Sequence, residues 1–314
     1  MNPLTGIYGA VSGLRNNLFD YGVLRSYRLA LPVVSVGNLS TGGSGKTPFV
    51  VALGEQLKAR GLPFDVLSRG YRRQTHGIRV VDPDGSAADF GDEPLLISCK
   101  LKVPVIVGES RYRAGLLAEQ KFDLQLHILD DGFQHRSLAR DFDIVLMTGD
   151  EFTDRLLPLG RLREPLSSLA RVDAVVLPSG QLADHQALRG KLVWRMKRQF
   201  ALLDASPSPV VFCGIARPEQ FFAQVRATGI APAAEIVFRD HHSYGRRDID
   251  RLQAMKEELG AGGFVTTEKD AVNLGRFEPE LRPLALAALK VTLDNANEVV
   301  DTILARIGKR RLGS

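Results

Sequence analysis

Ser40-Thr41-Gly42-Gly43-Ser44-Gly45-Lys46-Thr47 is a stretch whose residue types suit phosphate. Glycines let successive backbone N–H groups converge on phosphate oxygens, and a helix beginning at the end of the loop adds its positive dipole end. Lys46 has the reach for β- and γ-phosphates, and the Thr47 hydroxyl is a hard oxygen suited to Mg²⁺. The run follows apolar Leu31-Pro32-Val33-Val34 and opens an amphipathic segment from Pro48 to Leu57, which gives strand, loop, helix. This order implies a bound nucleoside triphosphate. One position departs from the usual pattern, because Ser40 stands where the first glycine is customary.

Other side chains have the chemistry to complete such a site. Asp130 and Asp131 close the apolar run Leu124–Leu129, where a P-loop enzyme places a Mg²⁺-binding carboxylate. Asp92, in Gly91-Asp92-Glu93-Pro94, is suited either to capping a helix or to holding an acceptor hydroxyl. In Asp240-His241-His242 a histidine beside an acid is able to orient a group or relay a proton, and spacing alone does not join it to Asp92. Arg69, Arg111 and Arg163 each fall near an expected strand end, where a guanidinium suits either a substrate or phosphate contact or an ordinary surface charge. Glu164 precedes Pro165 and reads as a helix start favoured by the dipole.

These residues need a scaffold. Expected strands at Phe64–Leu67, Ile78–Val81, Val103–Val107, Leu124–Leu129, Phe142–Met147 and Ala174–Leu177 alternate with helical patterns. That alternation predicts an α/β fold of P-loop NTPase type, its mostly parallel sheet covered by helices on both faces. Near Ser206-Pro207-Ser208-Pro209 the composition shifts to a short linker. Beyond it, Val210–Gly214, Glu235–Phe238 and Gly263–Thr267 read as a second, smaller α/β unit, dividing the chain into 1–205 and 206–314. The basic run Lys309-Arg310-Arg311 reads as a solvated terminus.

Composition narrows the class. With 314 residues, 44% hydrophobic and 25% charged, the chain is able to bury a full core. Two cysteines far apart, Cys99 and Cys213, argue against a disulfide framework and a zinc ribbon, and suit a reducing compartment. A net charge of +5 favours anionic partners, yet the arginines lie scattered among glycines and acids, so nucleic acid is not expected. No stretch is long and apolar enough to span a bilayer. Leu4, Ile7, Tyr8, Val11, Leu14 and Leu18 share one helical face, followed by Phe19, Tyr21, Val23, Leu24, Arg25 and Arg28. Such a segment suits either packing on the protein's own core or lying in a membrane interface.

Taken in order, the motifs resemble the tetraacyldisaccharide 4′-kinase family. The match runs through Val36–Pro48, Leu67–Tyr71, Gly91–Pro94, Asp130–His135, Leu157–Glu164 and Asp240-His241 to Val265–Val272, nearly the whole chain. The resemblance implies transfer of the ATP γ-phosphate to the 4′-hydroxyl of a tetraacylated glucosamine disaccharide 1-phosphate, giving lipid IVA. It implies ATP and Mg²⁺ as cofactors, the glycolipid and an anionic membrane surface as partners, and a peripheral place on the cytoplasmic face of the bacterial inner membrane. No obligate protein partner is inferred. By motif, Ser40 through Thr47 serve the nucleotide, and Thr47, Asp130, Asp131 and Glu164 serve the metal. Lys46, Asp92 and His241 become the catalytic set, with Asp92 on the acceptor hydroxyl and His241 supporting it. Tyr71, Arg111 and Arg163 become substrate or phosphate contacts.

Two other readings compete. A deviant-Walker ATPase switch docked on a membrane shares Gly-Gly-x-Gly-Lys-Thr, but carries a signature lysine where this chain has Thr41. A GTP-dependent metallochaperone needs Asn/Thr-Lys-x-Asp, and Thr267-Glu268-Lys269-Asp270 sets its lysine one residue too close to the acid.

Overall fold

A computed structural model describes residues 3–181 and 184–312, with the side chains of residues 3 and 4, and so that of Leu4, outside the description. Twelve strands and nine α-helices are present among the described residues. The strands are β1 (Val33–Asn38), β2 (Phe64–Ser68), β3 (Arg79–Val80), β4 (Val105–Val107), β5 (Leu126–Asp130), β6 (Phe142–Leu146) and β7 (Ala174–Pro178). They continue as β8 (Leu192–Leu202), β9 (Val210–Cys213), β10 (Ala234–Val237), β11 (Phe264–Thr267) and β12 (Leu284–Leu293). The helices are α1 (Pro3–Asp20), α2 (Lys46–Ala59), α3 (Ala87–Phe90), α4 (Asp92–Leu101) and α5 (Arg111–Lys121). After them come α6 (Pro218–Ala227), α7 (Arg246–Glu258), α8 (Glu268–Leu274) and α9 (Ala296–Leu312).

All strands join one sheet in the order β10-β9-β11-β12-β8-β7-β6-β1-β5-β2-β4-β3. Pairing is parallel except for β3 with β4 and β12 with β8. Parallel strands buried on both faces are mostly apolar; every residue of β1, β2, β4, β5 and β6 is buried, and buried polar members find partners, as His127 does with Asp65 at 2.6 Å. On one face Phe49, Leu53, Ile97 and Leu101 of α2 and α4 pack with Val36, Val66 and Ile128. On the other, Ala114 and Ala118 of α5 pack with Leu67, Ile106 and Leu129. The strand order reverses at β1, between β5 and β6, so a crevice opens at the carboxyl ends of these strands.

The long antiparallel pair β8–β12 is absent from the expected strands. Arg195, Lys197 and Arg198 interrupt the apolar character of β8, and in it only Met196 is buried. This pair joins β1–β7 to β9–β11, so both halves share one sheet. Helix α9 then returns to the first half, with Val299, Val300, Ile303 and Ile307 in the same core as α2.

The basic run 309–311 is more than the solvated terminus expected, because two of its members, though still partly exposed, are tied to the sheet. Arg310 binds Asp173 and the Asp141 carbonyl, while Arg311 binds Asp141 and the carbonyls of Leu29, Ala30 and Leu31. Acidic residues at the amino ends of β6 and β7 draw the helix end onto the sheet.

Helix α1 inverts the usual amphipathic arrangement. Ile7, Val11 and Leu14 are 60%, 62% and 61% exposed, whereas Asn16 is buried. Polar contacts tie it to the protein: Tyr8 donates to the Arg163 carbonyl, and Arg136 binds the Asn16 carbonyl and the Asp20 carboxylate.

Candidate active site

The P-loop forms where β1 ends. Gly37 has no alternative there, since a Cβ would lie 2.5 Å from that of Phe133 in the turn after β5. Gly45, at φ +84°, turns the chain into α2 and places Lys46 and Thr47 in its first turn. Asn38 organises the loop from beneath, donating to the Ser40 carbonyl at 2.7 Å and the Ser44 hydroxyl at 3.0 Å. Lys46 Nζ lies 3.2 Å from Asn38 Oδ1 and 3.4 Å from Asp131 Oδ1.

The first arm of the loop is occupied otherwise. Ser40 is buried and its hydroxyl donates to Glu151 Oε1 at 2.8 Å, so its side chain is held by Glu151. Thr41 N–H donates to the Arg161 carbonyl at 2.7 Å. Arg198 of β8 donates to the Ser44 carbonyl and covers Gly45, whose Cβ would meet its guanidinium at 3.3 Å. Arg217 approaches Gly42 similarly, at 3.8 Å. A loop faced by two guanidinium groups is an anion site by charge as well as by shape.

Asp130 and Asp131 end β5 beside β1, with Val36 opposite Asp130 in register. Their environments differ. Asp130 accepts from Ser68 at 3.0 Å through Oδ2, and its buried Oδ1 has no partner. Burial, reinforced by Glu93 and Asp131, pushes its carboxyl up to about 7. Asp131 adopts φ +47°, and although burial opposes its charge, Lys46 and Arg163 hold it well below the usual carboxylate range. Arg163 binds both Asp131 oxygens, at 3.0 and 3.3 Å, and also Asn38. A buried, unpartnered carboxylate oxygen beside the Thr47 turn is a donor set that fits Mg²⁺.

Glu164 has charged and polar partners of its own. It is buried, with one oxygen 2.7 Å from Asn16 Nδ2 and the other 3.0 Å from Arg171. Its carboxylate is neutralised between α1 and Arg171. Among the described residues no group of three or more His, Cys, Asp or Glu side chains is gathered as a metal cluster.

On the β2–β4 side, Arg111 opens α5 after β4 and is buried. Burial and the nearby Arg69 pull its guanidinium down to about 10, while Asp131 and Asp130 oppose that fall. It donates to the Glu109 carbonyl at 3.0 Å and leaves Nε unpartnered. Arg111 thus presents a cation toward the same carboxylates as Lys46.

Asp92 and His241, which sequence spacing leaves apart, meet. Asp92 starts α4 and is buried; His241 Nδ1 lies 2.7 Å from its Oδ2. Asp92 does not cap α4 with its side chain; Gly91 holds the cap position at φ +90°. Burial raises the Asp92 carboxyl, but His241, Lys269 and Asn273 outweigh that and leave it below its ordinary value. The Tyr71 ring packs edge-on against the imidazole at 5.4 Å. A cleft of about 650 Å³ opens beside the pair, lined by Tyr71, Arg72, Asp92, His241, Asn273 and Phe277 among others. Lys269 and Asn273 were not singled out from the sequence; the block Thr267-Glu268-Lys269-Asp270 carried the signal, but only the fold aims it at Asp92.

Comparisons with known proteins give the family. The family model described as tetraacyldisaccharide-1-P 4′-kinase matches residues 1–308. The tetraacyldisaccharide 4′-kinase of Koribacter versatilis is 47% identical, covering 99% of this chain and 100% of the relative. The Aquifex aeolicus enzyme of that name is 37% identical, over 88% of this chain and 90% of the relative. A crystal structure of the "apo" form of that Aquifex aeolicus protein in complex with ATP superposes with a TM-score of 0.81 at 35% identity, covering 97% of both chains. This chain belongs to the tetraacyldisaccharide 4′-kinase family.

Proposed function

We infer that the protein transfers the γ-phosphoryl group of ATP to the 4′-hydroxyl of a tetraacylated glucosamine disaccharide 1-phosphate, giving lipid IVA. The observation carrying this reading is the Asp92–His241 contact of 2.7 Å, set on the strand-end face that also holds Lys46 and Asp131. An ATPase switch needs only the second of these.

Lys46 anchors the β- and γ-phosphates, and the N-terminus of α2 and its preceding amides neutralise charge. Thr47 and Asp130, with Asp131 adjoining, would hold Mg²⁺, which when bound supplies further charge neutralisation. Glu164 is left to its pairing with Arg171. Asp92 orients the acceptor hydroxyl and takes its proton as oxygen attacks phosphorus in line. Because the transition state is loose, positioning contributes more than base strength. Tyr71 and Arg111 flank the acceptor and phosphate sides, and Arg163 fixes Asp131 against the loop.

The exposed apolar face of α1, with Tyr21, Val23 and Arg25 beyond it, supports docking on an anionic membrane surface. On this reading the enzyme is peripheral, at the cytoplasmic face of the inner membrane. No described helix is long and apolar enough to cross a membrane. We read the chain as units 1–205 and 206–314, joined through β8 and β12, with α9 packing back on the first. The test is chromatography of lipid products after incubation with labelled ATP and the tetraacyl disaccharide 1-phosphate. ATP hydrolysis without labelled lipid would overturn the assignment.

A further inference from the structure

Lys269 lies at the second position of α8, capped by Thr267, where the helix dipole disfavours a cation. It is nevertheless aimed at the Asp92–His241 pair. Its Nζ is 3.1 Å from His241 Nε2, 3.4 Å from Asp92 Oδ2 and 3.8 Å from Glu93. An ammonium only donates, so the ring nitrogen facing it must present a lone pair. The ring proton then belongs on Nδ1, where Asp92 Oδ2 accepts it.

We propose that Lys269 is a positioning residue: it fixes His241 in the Nδ1–H tautomer and thereby holds the Asp92 carboxylate ionised and aimed. Oδ2 is filled by His241, Lys269 and, at 3.4 Å, Asn273. Among the described residues Oδ1 accepts only the Glu93 N–H, at 2.9 Å, so Oδ1 is the oxygen with room for the acceptor's hydroxyl proton. The backbone supports this design. His241 sits at φ +57°, a conformation disfavoured for a side-chain-bearing residue, tied by its N–H to the Gly214 carbonyl at 3.0 Å. The other charged groups around the pair are Glu93, Asp240 at 3.8 Å from His241 Nε2, and Arg72, which binds the Asp240 carbonyl. Only Lys269 among these cations touches both members.

This inference rests on the acceptor-side reading of Asp92, so its test has a readout beyond turnover. Full-length protein carrying ¹⁵N-histidine is observed by NMR at pH 7, His241 being assigned by its loss in His241→Gln. The expected spectrum shows Nδ1 protonated and Nε2 as a bare acceptor. Lys269→Met should lose this signature and lower kcat by roughly ten- to a hundredfold with the KM for ATP unchanged. Lys269→Arg should restore the tautomer and most of kcat. Lys100→Ala, which removes the 2.7 Å Lys100–Glu268 tie between α4 and α8, should change neither. A protonated Nε2 in the wild type, or an unaltered ring and kcat in Lys269→Met, would overturn the proposal. An active Asp92→Asn enzyme would sink the acceptor-side reading and this inference with it. Inactive Asp92→Asn beside unaltered Lys269→Met would sink this inference alone.

Discussion

The nucleotide end and the acceptor end of this site are built on different plans. Lys46, Thr47, Asp130 and Asp131 come from two neighbouring parallel strands and the turns that leave them, within one half of the sheet. Asp92 and His241 come from opposite sides of the β8–β12 junction, 149 residues apart. One end is rigid by register. The other exists only while α8 and the loop after β10 rest on α4. The backbone of the phosphate cradle is therefore set within the first half, while acceptor chemistry depends on how the two halves meet.

That contrast breaks in a defined order. Lys46→Ala should remove the anchor of the β,γ-phosphates and reduce kcat by about a thousandfold or more. Near-normal turnover in a folded variant would take the P-loop out of the mechanism. Asp92→Asn and His241→Ala should each lower kcat by roughly a hundredfold or more while the KM for ATP barely moves. Acting as one unit, they should be no worse together than the poorer single variant. Multiplying losses, or weakened ATP binding in Asp92→Asn, would return Asp92 to the nucleotide end.

Glu164→Gln sharpens the boundary of the metal set. With the carboxylate held by Arg171 and Asn16, the variant should cost about 1–3 kcal/mol of stability in thermal melts and leave the Mg²⁺ half-saturation of turnover unchanged. A raised Mg²⁺ requirement would restore Glu164 to the metal. The smallest effect on turnover in detergent belongs to Val11→Glu in α1. It should leave stability within about 0.5 kcal/mol, because the side chain is exposed, yet reduce sedimentation with anionic vesicles. Unchanged sedimentation would remove that face from membrane docking.

Much of the nucleotide end was legible because its chemistry is contiguous. Gly-Lys-Thr after an apolar run specifies strand, loop and helix together, and Asp130-Asp131 at a strand end inherits its place from the parallel sheet. The acceptor end was legible as motifs but not as a contact, since no local pattern relates Asp92 to His241 or points Lys269 at either. Strands β8 and β12 were hidden by the basic residues of β8 and by the exposure of both. Glu164 and Ser40 show the converse. Each sits in a motif, but its side-chain partner, Arg171 or Glu151, comes from outside that motif and decides where it points. The orientation of α1 was open for the same reason, because a helical wheel reveals an apolar face without saying what meets it.

The clasp made by Arg310 and Arg311 has a consequence in time. Arg311 binds the carbonyls of Leu29, Ala30 and Leu31, the residues leading into the strand that carries the P-loop, across a separation of 280 residues at Leu31. A growing chain makes the phosphate loop early and the residues that fasten its entry strand among the last described ones. During synthesis the residues entering β1 therefore lack this fastening until α9 has been made. Nascent chains arrested before residue 296 should retain ATP less well than chains extended past residue 311, as read by ATP protection against proteolysis. Equal protection at both lengths would show that the clasp secures the finished fold without governing when the site becomes competent.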